Sequence, residues 1–163
     1  MKRIAVLWMA LALGTQAVLA AGPQAKLTFG DWQMSTSQFD YYWTSGNFSA
    51  PGHVRLTRPG SSIDADRADG NEKRKIANLY GHVVMHDDRG TFSAIAGTSK
   101  PGKAEPATLT CDKLTVDGVS RIYTATGNVH FVQGANSMEA DTAIMDMATH
   151  ELHLRGHVHV VQQ

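Results

Sequence analysis

The chain is expected to be all-β, a stack of one strand unit repeated on itself, and three observations predict this. The phrase Gly-x-Val occurs at Gly52, Gly81, Gly127 and Gly156. Each glycine sits inside an alternation in which every second residue is apolar or small, the period of a half-buried strand. No helical periodicity of useful length follows residue 20. Repetition at a fixed period is the signature of stacked supersecondary units.

Met1 to Ala20 reads as an export signal. Lys2 and Arg3 give a positive start, Ile4 to Leu13 an apolar run, and Val18-Leu19-Ala20 a small-residue cleavage site. Gly14, Thr15 and Gln16 interrupt the apolar run, which makes a retained membrane anchor the second reading. A single domain then occupies residues 21–163, with 21–44 as divergent N-terminal strands.

The first repeat copy is Phe48, Ala50, Gly52, Val54, Leu56, and the second is Ala77, Leu79, Gly81, Val83, Met85. Tyr123, Ala125, Gly127, Val129, Phe131 form the third, and Leu152, Leu154, Gly156, Val158, Val160 the fourth. Gly52 to Gly81 and Gly127 to Gly156 are both 29 residues apart, whereas Gly81 to Gly127 is 46. The middle connection therefore holds an insertion, and Gly97, Pro101, Gly102 and Pro106 make residues 97–107 a loop.

A second marker precedes the glycines by 15 residues: Asp66, Asp112 and Asp141. Apolar parity flips at Asp112 and Asp141, which calls for an extra residue, a bulge or a corner. Aspartate suits such a place because its carboxylate accepts free backbone N–H groups. Five residues further on stand Asn71, Asp117 and Asp146, turn-forming types. In the first unit Ser37 takes the aspartate's place and Ser45-Gly46 supplies the turn, as in an atypical terminal repeat.

Composition excludes several functions. The chain carries 15 basic and 15 acidic residues. Without a basic stripe a nucleic-acid partner is not expected. Cys111 is the one cysteine, so no internal disulfide forms, and it reads as a small buried residue. No nucleophile elbow, metal-ligand motif or phosphate loop occurs, so no enzyme, catalytic residue, metal or cofactor is expected. The histidines at 53, 82 and 157 occupy equivalent repeat positions and read as a polar ladder on the outer face.

Ile122 to Gly134, Met138 to Asp146 and Leu152 to Val160 closely resemble the OstA/LptA family of lipopolysaccharide-transport proteins. The resemblance covers about residues 45–162. It implies an OstA-like twisted antiparallel β-jelly roll, taco-shaped, whose apolar interior holds acyl chains of lipopolysaccharide. It also implies end-to-end stacking with other OstA-like domains of a periplasmic bridge, LptC-like and LptD-like, and a possible homo-oligomer. A membrane-anchored LptC-like component and a non-catalytic envelope scaffold with a filled core are the alternatives.

The inward set, and hence the candidate lipid groove, is Leu56, Leu79, Val83, Met85, Val129, Phe131, Leu152, Leu154, Val158 and Val160. The small residues Ala50, Ala77 and Ala125 are expected to leave space between walls that do not close. Arg55, Arg58, Lys73, Arg74, Lys75, Lys113 and Arg121 are candidates for a polar rim. The strand from Leu152 to Val161 carries no acidic or lysine residue after Arg155, which suits an edge left open for strand addition.

Overall fold

The structure is a computed structural model that describes residues 25–88, 105–149 and 151–162. The expected export signal over 1–20, and the expected loop over 97–107 up to residue 104, lie outside the described residues. Glu105 and Pro106 lead into a strand that begins at Ala107.

The described residues form thirteen strands and no helix. In chain order these are β1 (Ala25–Phe29), β2 (Trp32–Thr36), β3 (Asp40–Tyr42), β4 (Asn47–Ala50), β5 (Val54–Arg58), β6 (Ser61–Ala65) and β7 (Arg67–Asn71). Four long strands follow: β8 (Ile76–Asp87), β9 (Ala107–Asp117), β10 (Ile122–Gln133) and β11 (Asn136–Asp146). The last two are β12 (Glu151–Arg155) and β13 (His159–Val161). All pairings are antiparallel, and the sheet is not closed into a barrel. This is the expected all-β jelly roll.

Each long strand is folded at its middle and serves two walls. The first wall runs β1, β2, β5, β6, then the second half of β8, the first of β9, the second of β10, the first of β11, and β13. The second wall runs β3, β4, β7, then the complementary halves of the same long strands, and β12. The first and fourth repeat copies are cut through at the fold, giving β4/β5 and β12/β13, whereas the two middle copies stay continuous.

The fold line is built from the repeated glycine and aspartate. Between Tyr80 and Val83, β8 has two residues, Gly81 and His82, opposite the single Asp112 of β9. Gly127 and Asn128 likewise stand opposite Asp141. The extra residue thus lies in the glycine strand, while the parity flip shows in the aspartate strand, where Asp112 and Lys113 interrupt the buried alternation of Cys111 and Leu114. Gly81 and Gly127 adopt φ of +72° and +75°, and the next residues, His82 and Asn128, are also left-handed at 43° and 47°. Paired left-handed residues turn the strand sharply, and glycine enters that region without steric cost.

Close approach fixes the glycine as firmly as φ does. A Cβ on Gly127 would lie 2.4 Å from Asp112 Oδ2, and one on Gly81 would lie 2.4 Å from Asp66 Oδ2. Those carboxylates are held there by the next side chain: Asn128 Nδ2 donates to Asp112 Oδ2 at 2.9 Å. At the fourth copy, the His157 N–H donates to Asp141 Oδ2 at 3.3 Å. At the first copy Ser37 does occupy the aspartate's place, 3.7 Å from where a Gly52 Cβ would stand, and Gly52 has no left-handed φ.

The hairpin ends of the second wall leave from one register row: Tyr42 opposite Asn47, Asn71 opposite Ile76, Asp117 opposite Ile122, Asp146 opposite Glu151. Asn71, Asp117 and Asp146 open three of these turns as expected, each accepting backbone N–H groups of its own turn at 2.8–3.0 Å. Neighbouring turns are joined by Glu72 N–H to Gly46 O, Gly118 N–H to Lys75 O and Met147 N–H to Arg121 O. The result is a continuous rim.

Gly127→Ala is expected to destabilise the fold by about 2 kcal/mol or more, from the left-handed φ and the carboxylate contact together. Asp112→Ala should relieve part of that loss, so the double substitution costs less than the sum. Gly52→Ala should stay within about 0.5 kcal/mol. Urea unfolding of the variants checks the ranking, and equal losses at Gly52 and Gly127 would refute it.

Candidate functional site

The inward face follows the alternation. Leu56, Leu79, Val83, Met85 and Val129 are 0–2% exposed, and Phe131 is 5% exposed. They belong to one core cluster with Ile63, Leu109, Leu114 and Met145, drawn from both walls. Leu152 and Leu154 pack against that cluster half-buried. The expectation of walls standing apart is corrected: the interior is closed. The small residues do not leave space. Ala77 and Ala125 are themselves 1% and 0% exposed, within the same core cluster.

Val158 and Val160 depart from the expected inward set, at 47% and 45% exposure. Val160 pairs with Met138, which is buried, so it stands on the inward side of the sheet. It lies on β13, the last strand of its wall among the described residues. The apolar row therefore runs from the filled core out to an open end.

The walls meet again at a seam. Trp32 Nε1–H, from the first wall, donates to the Tyr123 hydroxyl of the second at 2.9 Å, with both residues buried. The Arg58 guanidinium lies 4.5 Å above the Trp32 ring and donates to the same hydroxyl at 3.5 Å. A hollow of ≈ 100 Å³ beside them is lined by Asp31, Arg58 and Arg121 among others. Trp32 is absent from the inward set that the repeat predicts. A signal for it exists, because Trp32, Met34 and Thr36 keep one buried parity in β2.

The seven basic candidates separate in space. Arg58 and Arg121 come together at the seam hollow. Arg55 is tied to Asp64 on the outer face at 3.1 Å, and Lys113 lies over the Tyr80 ring at 5.2 Å. Lys73, Arg74 and Lys75 sit in the turn between β7 and β8. Burial pushes the Cys111 thiol up to about 12, which fits its reading as a small core residue.

The equivalent histidines stand on the outer side of the fold line, as expected. His82 Nδ1 is 2.7 Å from Asp66 Oδ2, and His157 Nδ1 is 3.0 Å from Asp141 Oδ2. His53 Nε2 is 3.5 Å from Asp64 Oδ1. Each imidazole faces a carboxylate, and among the described residues no three metal-ligating side chains cluster. The hydrogen bond that the His82 ring donates to Asp66, reinforced by the carboxylate's charge, raises the His82 pKa above the ordinary histidine range.

No protein-family profile and no curated protein sequence matches the chain. A solved structure does: LptH, the LptA homologous periplasmic component of the conserved lipopolysaccharide transport device from Pseudomonas aeruginosa. The two superpose with a TM-score of 0.66 over 82% of this chain and 99% of LptH, at 10% sequence identity. This chain has the LptA-like fold. The LptA-like roll here is thus defined by its backbone path, with few side chains shared between the two proteins.

The raised His82 pKa has a direct consequence. Its pairing with Asp66 contributes fully below the unfolded histidine pKa of about 6.5 and is lost as pH rises through the higher folded value. Asp66→Asn should bring the His82 titration back down toward about 6.5 and flatten this dependence. A proton NMR titration of the imidazole measures it, and an unmoved midpoint in the variant would exclude the pairing.

Proposed function

We propose that this chain is a periplasmic lipopolysaccharide-binding bridge protein that shields acyl chains between the two walls of its roll. The observation that carries the reading is the apolar row that continues from the core, through half-buried Leu152 and Leu154, to exposed Val158 and Val160. A sealed core ends in polar cover; this one ends open. The likeness of the fold to LptH supports the same reading.

The closed interior sets the mechanism. Acyl chains enter only if the walls part, and the seam held by Trp32, Tyr123 and Arg58 is where they separate. Ten buried methylenes contribute about 8 kcal/mol, which offsets the wall-to-wall packing given up on opening. No reactive side chain is required, so the chain acts as a carrier rather than an enzyme. The groove residues are Leu56, Leu79, Val83, Met85, Val129, Phe131, Leu152 and Leu154, with Val158 and Val160 at the entrance. The same closed interior favours one rival, a scaffold whose core stays filled. A photo-crosslinking residue at Phe131 or Leu154 should capture lipopolysaccharide in cells. Adducts confined to the protein itself would select the scaffold.

The partners follow from the edges. Among the described residues β12 and β13 end the two walls at one side, and β1 and β3 end them at the other, so each roll offers strand edges at both ends. Strand addition between such edges joins roll to roll, with other OstA-like domains or with a second copy. Deleting residues 156–163 removes β13. Loss of two or more edge hydrogen bonds, each worth about 1 kcal/mol, should weaken association roughly tenfold or more. Sedimentation at unchanged β-sheet circular dichroism tests this, and undiminished association counts against it.

A further inference from the structure

The three most exposed large apolar side chains among the described residues are Trp43 at 83%, Val119 at 74% and Tyr42 at 61%. All three lie on the rim formed by the hairpin ends of the second wall. An exposed tryptophan is unusual on a soluble surface, and its neighbours here are charged. Lys73 Nζ donates to the Thr44 carbonyl at 2.8 Å, which lays the lysine across the turn that carries Trp43. Arg74 is the next residue and is exposed.

The local charge is positive. Of the four residues in the turn between β7 and β8, three are basic and one, Glu72, is acidic, and Glu72 is paired with Lys75. Further along the rim Asp117 accepts the N–H groups of Val119 and Ser120, Asp146 accepts those of Ala148 and Thr149, and Glu151 lies beside His153. The platform is also stiff. The Trp43 ring stands edge-on to Tyr41 at 4.8 Å, and the turns are joined by backbone hydrogen bonds.

Tryptophan and tyrosine settle at the water–lipid boundary, where an apolar ring and a polar N–H or O–H are both satisfied. Lysine and arginine beside them are drawn to anionic headgroups. We infer that this rim is a docking surface for a bilayer face bearing anionic phospholipid headgroups, with Trp43 and Tyr42 entering the interface and Lys73 and Arg74 on the phosphates. Phospholipid alone satisfies this docking, so it does not depend on the carrier reading.

Every strand among the described residues lies within 25–161, so a chain beginning at Ala21 keeps the whole described fold. That chain has two tryptophans, Trp32 and Trp43, and Trp32 is buried. Mixed with phosphatidylglycerol vesicles, it should co-float with them and shift its tryptophan emission to the blue. Pure phosphatidylcholine vesicles should bind it far less, and salt should weaken the anionic case. Trp43→Ser should abolish the emission shift. Lys73→Gln with Arg74→Gln should weaken binding on the order of 25-fold, about fivefold per cation. The inference is overturned if wild type does not co-float with phosphatidylglycerol, or if both variants bind as wild type does. It is equally overturned if these variants lose association with a second copy while vesicle binding is unchanged, which makes the rim a protein contact. Lipopolysaccharide crosslinking at Phe131 is read separately, so either result stands without the other.

Discussion

The structure depends on one contact made repeatedly: a carboxylate pressed against a glycine that has no Cβ to resist it. Asp66 meets Gly81, Asp112 meets Gly127 and Asp141 meets Gly156, each at a distance that a methyl group would violate. The residue after the glycine then anchors the carboxylate, by imidazole at His82 and His157 and by amide at Asn128. Because these contacts fall in line across adjacent strands, the bends add up to a crease. A lone bulge would only twist its strand. A row of them folds the sheet onto itself and brings two apolar faces together.

The interior follows from the crease. Walls that share strands cannot slide past each other at the fold line, so separation is easiest at the opposite side, where Trp32 reaches Tyr123. Burying an indole N–H and a phenol without a partner is costly, and each satisfies the other here. The small residues Ala50, Ala77 and Ala125 are as fully buried as the large side chains around them. This is where reading space from small residues fails: a small side chain makes a void only if the backbone around it cannot close.

Much of this is legible in the sequence, for a physical reason. The period-two alternation fixes which side of each strand faces inward, and the parity flip at Asp112 and Asp141 marks the crease. The turns at Asn71, Asp117 and Asp146 are legible because their side chains act on their own backbone. The outward imidazoles at His82 and His157 follow from their equivalent repeat positions. What is not legible depends on opposition between walls. Val158 and Val160 are exposed, and alternation carries no information about what covers a strand's inward face. The separation of Arg58 and Arg121 from Arg55 and Lys113 is of the same kind, because it depends on which turns meet across the seam.

The crease also sorts the polar chemistry of the molecule. Outside the fold line stand the solvated imidazole–carboxylate pairs. The rims are different. There Asp117 and Asp146 close their hairpins, Glu151 stays exposed, and Trp43, Tyr42 and Val119 point outward. Apolar character therefore collects at the ends of the strands, the part of a folded sheet where neither pairing nor packing covers a side chain.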